Sequence, residues 1–329
     1  MKINIAVIGF GYWGPNLVRN LSKISDCSVS YIVDSDKEKL IRARKLYPDT
    51  QCTKNIDEVL KNKSINACVI SLPVSCHYKY AKLVLENNKH LLIEKPATNS
   101  LKKLNNLVSI AKSRNLSLMV DYTFLYTGAV KKIKEIIDSG YIGEILFVNA
   151  QRYNSIYRKD VNIIRDLAVH DISIFQYLLQ DMPKSVNVQG FSSITENIED
   201  FTDITLKYSK TVSHISASWL FPFKTKKMVI CGSKKTIVYD DMESINKVKV
   251  YNSVYDILKK TKTLNYDNEK VLIPKLNKQE ALYNMCKDFI SSVKNKTVPL
   301  SNINFALQIS AILDACSKSI LRNGKEIKL

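Results

Sequence analysis

The sequence predicts two domains of different class: an α/β N-terminal domain on a parallel sheet, then an α+β C-terminal domain with a mostly antiparallel, open sheet. Three observations predict this. The chain of 329 residues is long enough for two separate cores. The first third alternates short apolar runs with amphipathic stretches, while beyond Asp121 strand-like runs follow one another without helices between them. The boundary is therefore drawn between residues 1–121 and 122–329.

In order, the apolar runs of the first domain are Ile3 to Ile8, Val29 to Val33, Ala67 to Leu72, His90 to Ile93 and Leu116 to Val120. Helix-like stretches separate them near Asn16 to Ile24, Asp36 to Leu46, Ile56 to Leu60, Tyr78 to Glu86 and Leu101 to Ser113. This rhythm makes parallel strands with helices on both faces, and the crossover rule puts all strand ends on one edge. In the second domain a helix over Ala129 to Asp138 stops at Gly140, and a strand runs from Glu144 to Tyr153. A helix over Asp166 to Leu179 precedes alternating runs at Ser185 to Phe191, Phe201 to Lys207, Val212 to Leu220, Lys227 to Cys231, Thr236 to Tyr239 and Lys247 to Tyr251. Residues 254–276 read as a polar loop, and helices over Glu280 to Val293 and Asn304 to Leu321 close the chain.

The first apolar run delivers Gly9, Gly11 and Gly14 in G-x-G-x-x-G order, with Asp34 twenty residues after Gly14. That is the Rossmann dinucleotide-binding fingerprint. Gly9 lets the chain turn off the strand, Gly11 lets the backbone reach a pyrophosphate, and Gly14 lets the next helix pack closely. The amides of Tyr12 and Trp13 approach the phosphates, with their rings walling the cleft, and Phe10 counts with the same cofactor-binding loop. Asp34 closes the second run, where a carboxylate accepts both ribose hydroxyls and repels a 2′-phosphate; the expected cofactor is NAD.

Composition removes other classes. Seven scattered cysteines without a C-x-x-C pair fit a reducing cytoplasm, and no His or Cys pair has metal-ligand spacing. No stretch is long and apolar enough for a membrane span, and no export signal is read at Met1 to Phe10. The net charge of +18 invites a nucleic-acid reading, but only eight of 49 basic residues are Arg and the clusters at Lys224 to Lys227 and Lys259 to Lys262 lack interleaved aromatics. No nucleic-acid partner is expected; a positive field suits an anionic small molecule.

Two further stretches carry chemistry. Glu94-Lys95-Pro96 ends the fifth strand on the ligand edge, where a Lys can polarise a substrate oxygen; the plain alternative is a solvated Lys. Asp166 and His170 stand four apart on a helix, so a carboxylate can orient a proton-accepting imidazole; the plain alternative is a capping Asp beside a surface His.

With these motifs in order, and with Ser71-Leu72-Pro73 plus His77, Asp121 to Phe124, and Asp138-Ser-Gly with Gly143-Glu-Ile145 between them, the whole chain resembles the Gfo/Idh/MocA oxidoreductases. The resemblance implies Lys95, Asp166 and His170 as the catalytic group. It implies cofactor contacts at Ser71, Leu72, Pro73, His77, Glu94 and Lys95 besides the glycine loop, and contacts to sugar or pyrophosphate at Arg152 and Tyr153, with plain packing as their alternative. Arg165, next to Asp166 where many members carry Gly-Gly, meets a phosphate or carboxylate or is a plain surface Arg. The implied activity is oxidation of a ring hydroxyl of a nucleotide-linked sugar, with an inositol or free-sugar dehydrogenase and a non-catalytic NAD-binding regulator as alternatives. The family's habit of pairing through the C-terminal sheet implies a homodimer or homotetramer.

Overall fold

The computed structural model describes residues 2–159, 161–252 and 271–329. They fall into two units, residues 1–126 with 279–310, and residues 127–278 with 311–329.

In the first unit, strands β1 (Ile3–Ile8), β2 (Cys27–Val33), β3 (Gln51–Thr53), β4 (Ala67–Ile70), β5 (His90–Glu94) and β6 (Leu118–Asp121) form one sheet in the order β3-β2-β1-β4-β5-β6. Every pairing is parallel. The central strands are continuous buried apolar runs, as a sheet covered on both faces requires. Helices α1 (Gly14–Leu21), α2 (Lys37–Leu46), α3 (Asp57–Leu60), α4 (Val74–Glu86) and α5 (Leu101–Ser113) alternate with the strands. Pro15 opens α1, and the Asp36 carboxylate caps α2 by accepting from the Glu38 amide at 2.9 Å. Strand order reverses between β1 and β4, which opens a crevice outside their carboxyl ends.

The same unit takes in residues 279–310, which the division into 1–121 and 122–329 assigned to the second domain. Helix α8 (Ala281–Asn295) follows Glu280, whose carboxylate takes both Arg19 guanidinium nitrogens at 2.9 and 2.6 Å and the Asn20 amide at 3.0 Å. Beyond it, the Val120 amide donates to Ser301 O at 3.2 Å, covering the β6 edge. These are long-range returns of the chain, which local periodicity does not report. The division then falls within helix α9 (Ile303–Leu321).

The second unit carries helices α6 (Gly128–Asp138) and α7 (Val169–Leu179), and an eight-stranded sheet. Its strands are β7 (Ile145–Tyr153), β8 (Ser185–Phe191), β9 (Phe201–Lys207), β10 (Val212–Ser218), β11 (Thr225–Gly232), β12 (Lys235–Asp240), β13 (Val248–Asn252) and β14 (Ile327–Lys328). The order is β13-β12-β11-β7-β10-β9-β8-β14, antiparallel throughout except for β7 with β10. Burial alternates: Val148, Ala150 and Arg152 point to the covered face, Phe147 and Gln151 to the open one. The loop expected at 254–276 lies largely outside the described residues; in its described end, Leu272 bridges Val250. No described helix is long and apolar enough to cross a membrane.

Candidate active site

The glycine loop sits where the strand order reverses. Gly9 has φ of 100°, and a Cβ there would stand 2.2 Å from Ser71 O, so the loops after β1 and β4 touch backbone to backbone. A Cβ on Gly14 would meet Gly9 O at 2.3 Å, which sets α1 hard against the turn. Gly11 differs: a Cβ would meet nothing within 4 Å. The chain's own packing therefore gives no reason for glycine at this position, whereas the approach of a bound pyrophosphate does. Tyr12 is 93% exposed and stacks on Trp13 at 6.4 Å, and Trp13 Nε1 is buried without a hydrogen-bond partner among the described residues. Gly11→Ala is expected to leave the melting temperature nearly unchanged and to weaken cofactor binding at least about tenfold, roughly 1.4 kcal/mol. Isothermal titration beside a melting curve checks this, and Gly9→Ala should instead disturb the fold.

Asp34 is buried, and its carboxylate accepts from the Phe10 amide at 2.7 Å and the Asp36 amide at 2.9 Å, with the Lys39 ammonium at 3.8 Å. It thus braces the glycine loop as well as facing the crevice edge.

Ser71, Leu72 and Pro73 link β4 to α4, and Pro73 caps the helix. His77 was expected to touch the cofactor; the structure corrects this. The ring is 1% exposed, with Nε2 2.8 Å from Leu72 O and Nδ1 3.0 Å from Pro96 O. Burial pushes its pKa down, against the pull of those carbonyls. His77 ties the loop after β4 to the loop after β5, so it shapes the crevice without facing it. Lys95 leaves the carboxyl end of β5 half-buried, on the crevice edge. Glu94 turns inward: its carboxyl lies beside Asp121, its register partner on β6, and Oε1 is buried.

In the second unit, Asp166 lies in a π-helical turn, Ile164–Ala168, that runs directly into α7, where His170 stands in the first turn. The wider turn replaces the regular helix expected there; such insertions are frequent at functional sites. Asp166 Oδ2 accepts from Trp219 Nε1 at 3.1 Å and Oδ1 from Arg158 at 3.3 Å. Its charge is held in place by an aromatic donor and a guanidinium.

The family model described as the Gfo/Idh/MocA oxidoreductase family with NAD-binding Rossmann fold matches residues 3–122, and the model of that family's C-terminal domain matches 130–238. The chain belongs to the Gfo/Idh/MocA family. Its first domain matches that family's NAD-binding Rossmann domain. Among curated relatives it is 23% identical over 61% of its length to an uncharacterised oxidoreductase of Streptococcus pneumoniae, of which the match spans 56%. It is 27% identical to the D-xylose 1-dehydrogenase [NADP(+)] of Haloarcula marismortui, over 61% of each chain. With the UDP-N-acetylglucosamine 3-dehydrogenase of Acidithiobacillus ferrooxidans it shares 24% identity over 66% of this chain and 67% of that one. A solved structure of that dehydrogenase superposes with a TM-score of 0.84 at 18% identity, covering 98% and 99% of the two chains. An oxidoreductase from Agrobacterium radiobacter in complex with NAD+, L-tartaric acid and magnesium gives 0.83 at 17% identity, covering 100% and 98%. At these identities the superpositions report the fold.

Within this Gfo/Idh/MocA chain, the three residues expected at the substrate lie in three different settings. Arg152, 4% exposed, forms a bidentate pair with Asp171 at 2.6 and 2.9 Å on the covered face of β7. Arg165 is not a plain surface residue: its Nη2 donates to Asp314 of α9 at 2.9 Å, while its Nη1 is buried without a hydrogen-bond partner among the described residues. Tyr153 points to the opposite face of β7 from Arg152 and stacks on Phe221 at 4.2 Å, lining a cavity of about 620 Å³ with Phe191, Ser193 and Leu220. Sequence reading missed Arg158 and Trp219, the partners of Asp166, which no motif marks. It also missed Asp121 as the partner of Glu94, although both residues end neighbouring strands.

Proposed function

We propose that the protein is a cytoplasmic NAD-dependent dehydrogenase that oxidises a ring hydroxyl, at C3, of a nucleotide-linked sugar such as UDP-N-acetylglucosamine or its uronic acid, on a route to cell-surface polysaccharide or amino sugars. The observation that carries the chemistry is Lys95 at the carboxyl end of β5 beside the NAD crevice. The nucleotide sugar is supported by the likeness to the Acidithiobacillus enzyme in both sequence and fold, and by the charge of +18, which favours an anionic substrate.

In this reading Lys95 donates to the substrate oxygen and His170 accepts the hydroxyl proton. The C–H bond breaks with its electron pair leaving as hydride, and the carbon–oxygen double bond forms. NAD, when bound, supplies the hydride acceptor at nicotinamide C4. Asp166, fixed by Trp219 and Arg158, orients the imidazole or holds a neighbouring hydroxyl. The protein works as a homodimer or homotetramer through the open face of the β7–β13 sheet, where Phe147 and Val212 are exposed.

A free-sugar dehydrogenase is the second reading, favoured by the likeness to the xylose enzyme. Purified protein with NAD and a panel of UDP-N-acetylhexosamines, their uronic acids, xylose and inositol separates the two by NADH absorbance, with Lys95→Ala as control. Turnover of a UDP-sugar that Lys95→Ala abolishes is the expected result. Turnover of xylose or inositol alone overturns the nucleotide-sugar reading, and NAD binding without turnover of any sugar overturns both.

A further inference from the structure

Glu94 and Asp121 are register partners at the carboxyl ends of β5 and β6. Asp121 Oδ1 accepts from the Thr123 hydroxyl. The two carboxyls act on each other, and Glu94 Oε1 and Asp121 Oδ2 are both buried, neither with a hydrogen-bond partner among the described residues. Ionised carboxylates only accept, so two of them side by side away from water repel and leave each other unsatisfied. One proton between them turns the same contact into a charge-assisted hydrogen bond.

We propose that Glu94 and Asp121 share one proton, and that this proton fixes the backbone from which Lys95 leaves the sheet. Glu94 is the residue immediately before Lys95, whose backbone N–H lies against its carboxyl. The proton therefore joins the last residues of β5 and β6 one peptide away from the amine that acts on the substrate. Glu94 and Asp121 are positioning residues; Lys95 touches the reacting oxygen. The groups facing Glu94 are the Asp121 carboxylate on β6, the Lys95 ammonium on its own strand and the Cys286 thiol on α8. Burial, then the Asp121 carboxylate, hold Glu94 well above the ordinary carboxyl range, and Lys95 pulls only partly against them. Cys286 is pushed up by burial and by the two carboxyls, so it stays a neutral thiol beside them.

The sign of the pH effect follows. Between the ordinary value of Glu94 and its raised value in the fold, the native state holds a proton that the unfolded chain has released. Stability therefore falls as pH rises through that window and levels off above it. Glu94→Gln keeps a donor on the side chain at every pH and removes that loss.

The test has two readings, and only the second rests on the proposed function. Infrared spectra of the cofactor-free protein in D2O at neutral pH are expected to contain the C=O stretch of a protonated carboxylic acid, and Glu94→Gln is expected to lack it. Absence of the band, or its survival in Glu94→Gln, overturns the shared proton. In the pH profile of kcat, each protein scaled to its own neutral rate, Glu94→Gln is expected to move the alkaline limb to higher pH by at least one unit while Glu94→Ala lowers kcat throughout. An unmoved limb in Glu94→Gln overturns the link to Lys95. Failure of every sugar to turn over would sink the proposed function, yet the infrared band would still decide whether the proton is shared.

Discussion

His170→Asn is expected to lower kcat by about two to four orders of magnitude, the usual contribution of a positioned general base, while the affinity for NAD changes little. The proton of the substrate hydroxyl must leave as the hydride leaves, and an imidazole is the group whose affinity for a proton suits that exchange near neutral pH. Asn keeps the shape and one hydrogen bond but cannot take the proton. Asp166→Asn is expected to cost less, because Trp219 Nε1 still finds an acceptor in the amide oxygen, although Arg158 loses its countercharge. Stopped-flow transfer of hydride, with NAD affinity measured separately, checks both variants. Equal rates for His170→Asn and the parent protein would remove His170 from the chemistry.

What was legible in the sequence was local. The glycine loop, the end of β2 at Asp34 and the end of β5 at Lys95 each follow from a few neighbouring residues, since a strand that turns into a helix past a phosphate needs glycine at fixed steps. The alternating runs gave β8 and β9 to the residue, because a sheet with one covered face imposes a period of two. Partners far along the chain were hidden. Glu280 meets Arg19 across 261 positions and Asp314 meets Arg165 across 149, so neither the return of residues 279–310 to the first unit nor the engagement of Arg165 had a local signature. The π-helical turn at Asp166 was hidden as well, since its five residues are too few for a hydrophobic period to register. Arg152 is another matter. It shares its parity on β7 with Val148 and Ala150, so the same period of two placed it on the covered face, where a cation needs a buried partner.

That parity gives the second large expected effect. Arg152→Met is expected to destabilise the protein by roughly 3–5 kcal/mol, the cost of leaving a buried charge without its partner. Asp171 is 3% exposed on α7, and both its oxygens are occupied by the guanidinium; without it, the carboxylate is left buried with no countercharge from Arg152. The penalty comes from the orphaned charge rather than from the attraction of the pair, because burying the pair already cost the hydration of both ions. The double variant Arg152→Met with Asp171→Leu should therefore recover most of the loss, while Asp171→Leu alone should be damaging in the same range. Urea unfolding of the four proteins closes the cycle. A substrate-binding Arg152 would behave in the opposite way: the single variant would keep its stability and lose affinity for the sugar. Because Asp171 directly follows His170 in α7, loss of the pair is also expected to reach the imidazole through the helix, lowering kcat in Arg152→Met and restoring part of it in the double variant.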